Sequence, residues 1–118
     1  MAQTHFITYQ LHIMIAQETT IDIGKLGKFT FPAGKYIYTG SAKRNIEARI
    51  ARHLSHHKTL KWHIDYLLAT KRAYISQVER FQEAECTITQ RTAGKIIVNK
   101  FGASDCHQGC GSHLKFLA

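Results

Sequence analysis

No run in this chain approaches the roughly 18 apolar residues a membrane-spanning helix needs. Its opening, Met-Ala-Gln-Thr-His, has no basic region leading into a long apolar one. A membrane span and a secretory leader are therefore not expected, and the expected location is the cytoplasm. Acidic residues are scarce, with eight Asp and Glu against sixteen Lys and Arg, a formal net charge of +8 to which eight His can add. A surplus of that size attracts polyanions and makes their binding fall steeply with salt. It is spread along the chain without a basic tail, so a folded surface has to carry it. Cysteine is sparse and odd in number, three residues in all, which argues against a disulfide framework and leaves thiols or metal ligands. Repeats, low-complexity tracts and linkers are missing too, so residues 1–118 are expected to form one domain with a single modest core.

What is present begins with a clear alternation. Ile7, Tyr9, Leu11, Ile13 and Ile15 share one side and Thr8, Gln10, His12 and Met14 the other, the pattern of a half-buried strand. Thr20 to Ile23 and Lys28 to Phe31 read as two short strands around Gly24-Lys25-Leu26-Gly27, where glycines supply positive φ. Pro32-Ala33-Gly34 then turns the chain into a strand over Tyr36 to Gly40. A helical pattern follows over Lys43 to Leu54, with Ile46, Ile50 and Leu54 as its apolar stripe. Trp62 to Leu68 reads as a short helix sunk in the core, Ala73 to Val78 as a strand, Gln82 to about Thr92 as a helix ending near Gly94, and Lys95 to Val98 as a last strand. Phe101 to His113 is rich in Gly and Ser. The sum is an α+β layer, a small mixed or antiparallel sheet flanked by helices.

Chemistry concentrates where the Gly34-Lys35-Tyr36-Ile37-Tyr38-Thr39-Gly40-Ser41-Ala42 strand feeds the next helix. At 100° per residue, His53 falls inside the apolar stripe of that helix and Arg49 on its edge. Two polar side chains one turn apart thus point where apolar ones belong. The residues alone fit a buried His with a backbone partner and a snorkelling Arg as well as they fit a functional pair. Glu85 lies on the same side of its helix as Ile88, Thr89 and Thr92, a costly place for a carboxylate without a cation. His56 and His57 read as a solvated turn in a basic loop.

Tyr38-Thr39-Gly40 followed by Arg49 and His53 resembles the second half of the GIY-YIG nuclease signature, and Ile7-Thr8-Tyr9 takes the place of its first half with the tyrosine kept. The wider set, including Arg-His-Leu, Trp-His-Ile-Asp-Tyr-Leu-Leu, Glu-Cys, Phe-Gly-Ala-Ser-Asp-Cys and Ser-His-Leu, is similar to one small branch of that superfamily, found alone or fused to endonuclease III-type glycosylases. The resemblance spans nearly the whole chain. It implies a GIY-YIG-like fold and a metal-dependent endonuclease acting on nucleic acid, DNA before RNA, in repair or processing, with a DNA repair glycosylase as a possible partner. It further implies that Glu85 holds one Mg²⁺ or Mn²⁺, that Arg49 stabilises phosphoryl charge, and that Tyr38 or Tyr9, with His53, positions or deprotonates the water. Asn99 stands near the position of the family's Asn, with Ser104 and Asp105 as substitutes, while Ser41 is expected to border the site, and His63 and Asp65 either border it or serve as hydrogen-bonded structural groups. Hydrolysis of a phosphodiester requires these functions: an activated water, neutralised charge and help for the leaving oxygen.

Two further readings stand beside that one. The basic surface also suits a non-catalytic nucleic-acid-binding module assisting a repair enzyme. Cys86, Cys106, Cys110 and His113 are donors of the kind that make a tetrahedral Zn²⁺ site. Their spacing is not that of a common finger, so buried thiols are the default expectation.

Overall fold

The computed structural model describes residues 6–42, 44–55, 62–97, 101 and 112–117. Its centre is β1 (Thr8–Ile15), whose alternation places Tyr9, Leu11, Ile13 and Ile15 in the core, each at most 2% exposed. β1 pairs antiparallel on one side with β4 (Gly34–Ser41) and on the other with β5 (Ala73–Phe81). A short β6 (Leu114–Phe116) joins the far edge of β4, so the sheet runs β5-β1-β4-β6 with antiparallel pairs throughout. β2 (Thr19–Asp22) and β3 (Lys28–Phe31) form a separate hairpin around a 3-10 turn at Gly24–Leu26. There Gly24 and Gly27 take φ of +50° and +115°, the positive values expected of them. With three helices added, the fold is α+β.

α1 (Ile46–Leu54) and α2 (His63–Leu68) cover one face of the sheet. Ile50, Ile64 and Leu67 join Tyr9, Leu11, Tyr36, Tyr38, Phe31 and Leu114 in a continuous cluster. Because side chains alternate across a strand, Gln10, Ile37 and Thr39 point the other way. α3 (Glu85–Arg91) packs there through buried Ile88 and Thr89, and Gln10 Nε2 donates to Thr39 Oγ1 (3.1 Å) and to Thr92 Oγ1 (2.7 Å). Among the described residues no helix is long and apolar enough to cross a membrane.

Three expectations are corrected. Leu54 is 49% exposed, since α1 ends at that residue and His53 occupies the core position of the last turn. α3 starts at Glu85 and not at Gln82, because β5 continues as far as Phe81, which pairs with Thr8. Lys95 makes only an isolated bridge to Phe116, and Ile96 and Ile97 lie in no strand. The place beside β4 that a strand there would need is taken by β6, a strand absent from the sequence reading. Val98 lies outside the described residues.

The joint between α1 and α2 is electrostatic. Asp65, with no exposure, accepts from Arg52 Nη1 at 2.9 Å and Nη2 at 3.0 Å, and its Oδ2 also accepts from the Trp62 backbone N–H at 2.9 Å. That last bond closes the start of α2. Removing one member of such a set leaves the other desolvated, so Asp65→Ala is expected to lower stability by about 2–3 kcal/mol, measured by denaturant unfolding. A change below about 0.5 kcal/mol would mean that the pair is as weak as an exposed ion pair.

Candidate active site

β1 and β4 meet in register with Tyr9 opposite Gly40. A Cβ added at Gly40 would lie 2.5 Å from both Cζ and Oη of Tyr9. Only glycine lets the ring cross the neighbouring strand so closely, an aromatic laid over a strand glycine. The phenol then reaches α1, where Tyr9 Oη and His53 Nε2 are hydrogen-bonded at 2.6 Å, with both side chains about 2% exposed. The buried-His expectation holds, with the Tyr9 hydroxyl as a side-chain partner. Tyr38 lies edge-on to the same imidazole, centroids 6.3 Å apart.

Arg49, one turn before His53, is exposed. Its Nη1 donates to the Ser41 carbonyl at 2.7 Å, and its guanidinium lies 4.8 Å from the Trp62 ring centroid. From the other face of the sheet, Glu85 in the first turn of α3 comes round the strand ends, where the Ser41 side chain hydrogen-bonds to it. Tyr9, Tyr38, Gly40, Ser41, Arg49, Trp62 and Glu85 thus line one cleft of about 150 Å³. Along Arg49 and Trp62 the cleft adjoins a shallower groove of about 360 Å³ bounded by Arg44, Asn45 and Arg52. Arg52 lies 4.3 Å from the same indole.

Burial sets the proton affinities. It raises the phenol pKa of Tyr9 strongly, with Arg49 pulling back and Glu85 adding to the rise. Tyr38 moves the same way, first by burial and then by its neighbour Tyr9. The Glu85 carboxyl is also pushed up by burial, against the Ser41 hydrogen bond and Arg49. His113, at the entry to β6, is pushed down by burial and by Lys115, so its imidazole is held neutral. Its Nδ1 stands 3.4 Å from Glu85 Oε1, a close approach and not an ion pair.

Of the residues singled out in the sequence, Tyr9, Tyr38, Arg49, Glu85 and Ser41 meet in the cleft, with His53 directly behind Tyr9. Cys86 and His113 come together beside Glu85. Asp65 serves the α1–α2 joint, and the His63 ring packs on Phe101 with centroids 5.7 Å apart. His56, His57, Asn99, Ser104, Asp105, Cys106 and Cys110 lie outside the described residues. Sequence reasoning missed the parts played by Trp62, Arg52 and Gly40. A glycine inside an apolar strand pattern is the signal for close approach, and Arg49 and Arg52 at i and i+3 share a helix face. The sequence profile of one protein family, Domain of unknown function DUF123, matches residues 8–118. Neither a curated protein nor a solved structure matches the chain.

Two outcomes check this geometry. Gly40→Ala is expected to displace Tyr9 from His53 and to cost about 1–3 kcal/mol of stability, the scale of overpacking; unchanged thermal unfolding would contradict the contact. Tyr9, Tyr36 and Tyr38 all have pKa values raised by burial. Their contribution to stability is full below the unfolded value of about 10 and is lost as pH rises above it. Alkaline titration followed by phenolate absorbance should show these three ionising only as the chain unfolds.

Proposed function

Because this chain belongs to the DUF123 family, whose description assigns no activity, we propose from the cleft that it is a metal-dependent endonuclease of GIY-YIG type, hydrolysing phosphodiester bonds of nucleic acid, DNA before RNA. The observation that carries the reading is the convergence of Tyr9, Tyr38, Arg49 and Glu85, from β1, β4, α1 and α3, on one small cleft. These residues are far apart in sequence, and an architectural role would not require a tyrosine pair, a guanidinium and a half-buried carboxylate to share one opening. The basic groove beside it and the net charge of +8 suit a phosphate backbone. Membership of the superfamily branch found with endonuclease III-type glycosylases, and a role in DNA repair, are parts of the same proposal.

Arg49 presents a planar donor set to a phosphoryl group, where it would hold two oxygens and offset the charge that develops on them. The raised phenol pKa leaves almost no Tyr9 phenolate at neutral pH to act as a base. The 2.6 Å bond to His53 offers a route that avoids it. With Nε2 unprotonated, Tyr9 donates its proton to His53 as it accepts one from the attacking water. The charge then ends on the imidazole, the base suited to neutral pH. Tyr38 bounds the cleft beside it and fixes the orientation of the imidazole by edge contact.

Glu85 is the residue that would hold a divalent ion. Mg²⁺ and Mn²⁺ take oxygen donors and keep several waters, so one or two carboxylates suffice. A carboxylate 26% exposed on the cleft, with the Ser41 hydroxyl beside it, fits that need. Such an ion would supply charge neutralisation at the phosphate and the leaving oxygen.

A second reading, a nucleic-acid-binding module without catalysis, draws on the burial of both tyrosines, which disfavours ionised phenols. Cleavage of labelled single-stranded, duplex and branched DNA and of RNA, with Mg²⁺ or Mn²⁺, separates the two. The nuclease reading expects metal-dependent cutting that falls by about 10²–10³ in Arg49→Ala, and by at least as much in Glu85→Gln, while salt-sensitive binding persists. Binding without cutting, unaffected by Glu85→Gln, would favour the module.

A further inference from the structure

His113 is 1% exposed, and neither of its ring nitrogens makes a hydrogen bond among the described residues. Buried polar atoms in native proteins are nearly always satisfied, so an imidazole with both nitrogens unsatisfied calls for a partner. What stands next to it is informative. One donor atom each from Glu85, Cys86 and His113 lie within 4.8 Å of one another. All three come from two places, the first turn of α3 and the residue leading into β6. The side chain of His113 reaches α3 because Leu114, the next residue, points into the opposite face of the sheet with Tyr38.

We propose that Glu85, Cys86 and His113 form a binding site for one thiophilic divalent ion of the zinc class. A carboxylate oxygen, a thiolate sulfur and an imidazole nitrogen are a donor set that Zn²⁺ accepts, at about 2.0 Å for oxygen and nitrogen and 2.3 Å for sulfur. Donors around such an ion lie roughly 3.3–3.8 Å apart by tetrahedral geometry, so a contraction of about 1 Å closes the observed group on it. Mg²⁺ and Ca²⁺ prefer oxygen throughout and gain little from sulfur. The described residues supply three donors, and a tetrahedral ion takes a fourth ligand besides. The site differs from the sequence-based zinc grouping in including Glu85; Cys106 and Cys110 lie outside the described residues. An ion there would tie α3 to the start of β6 at the rim of the cleft.

This proposal does not rest on the nuclease reading, and its test uses no substrate. The purified protein is equilibrated with Zn²⁺ or Co²⁺ in the presence of excess Mg²⁺, and bound metal is counted by elemental analysis. The expected result is one ion per chain, with the Co²⁺ form showing a thiolate-to-cobalt charge-transfer band and tetrahedral ligand-field absorption. Cys86→Ser should abolish that band, and His113→Gln should weaken binding at least about tenfold, since even the loss of outer supporting groups has that effect. Because His113→Gln alters a buried position, the unaltered protein provides an independent reading. Zn²⁺, but not Mg²⁺, should protect Cys86 from alkylation, with the modified cysteine located by mass spectrometry. Absence of bound metal, a charge-transfer band that survives Cys86→Ser, or equal alkylation of Cys86 with and without Zn²⁺ would overturn the proposal.

Discussion

The crossing of the Tyr9 ring over Gly40 is the contact on which the arrangement of the cleft depends. It lets the ring lie against the β4 backbone, where any Cβ at position 40 would meet it at 2.5 Å. It aims the phenol at His53, and so fixes how α1 lies on the sheet. Arg49 and Glu85, from opposite faces of the sheet, then meet round the strand ends at the cleft that this tyrosine lines.

The parts of this fold that were legible in advance are those with short-range periodicity. β1, the β2–β3 hairpin, β4, α1 and α2 follow from alternation, turn glycines and the helical repeat, since each signal is written within a few residues. Errors fell where tertiary pairing overrides local pattern. Lys95-Ile96-Ile97 has strand-forming residues but only Lys95 bridges the edge of β6, and Leu114-Lys115-Phe116 pairs with β4 despite following a Gly- and Ser-rich stretch. Leu54 fits the apolar stripe, yet the helix stops there and the core position goes to a histidine.

The candidate site shows the same division. Tyr9, Tyr38, Arg49, His53 and Glu85 were picked out because polar groups interrupted apolar patterns and because the pattern resembled a known signature. The parts of Trp62 and Arg52 were not legible, since an indole flanked by two guanidiniums depends on how α2 docks against α1. That docking rests on Asp65, for which the sequence left open a structural role and a place at the rim of the site. In the fold it holds the wall of the basic groove from behind by fixing Arg52 and the first turn of α2.

The order of strands, β5-β1-β4-β6, carries a consequence for how the protein acquires its cleft. β1 pairs with β5 across a long stretch of chain, Thr8 opposite Phe81, and β4 pairs with β6, Tyr36 opposite Phe116. Both closures are non-local, the kind that slows folding because entropy is lost before contacts repay it. The β1–β4 pair joins nearer segments and is the natural nucleus, with Tyr9 already beside Gly40. The carboxylate of Glu85 arrives only after β5 has docked, and His113 only with β6. On this topology the tyrosines meet before the Glu85 carboxylate and the His113 imidazole join them, so the cleft is complete only once both outer strands have docked.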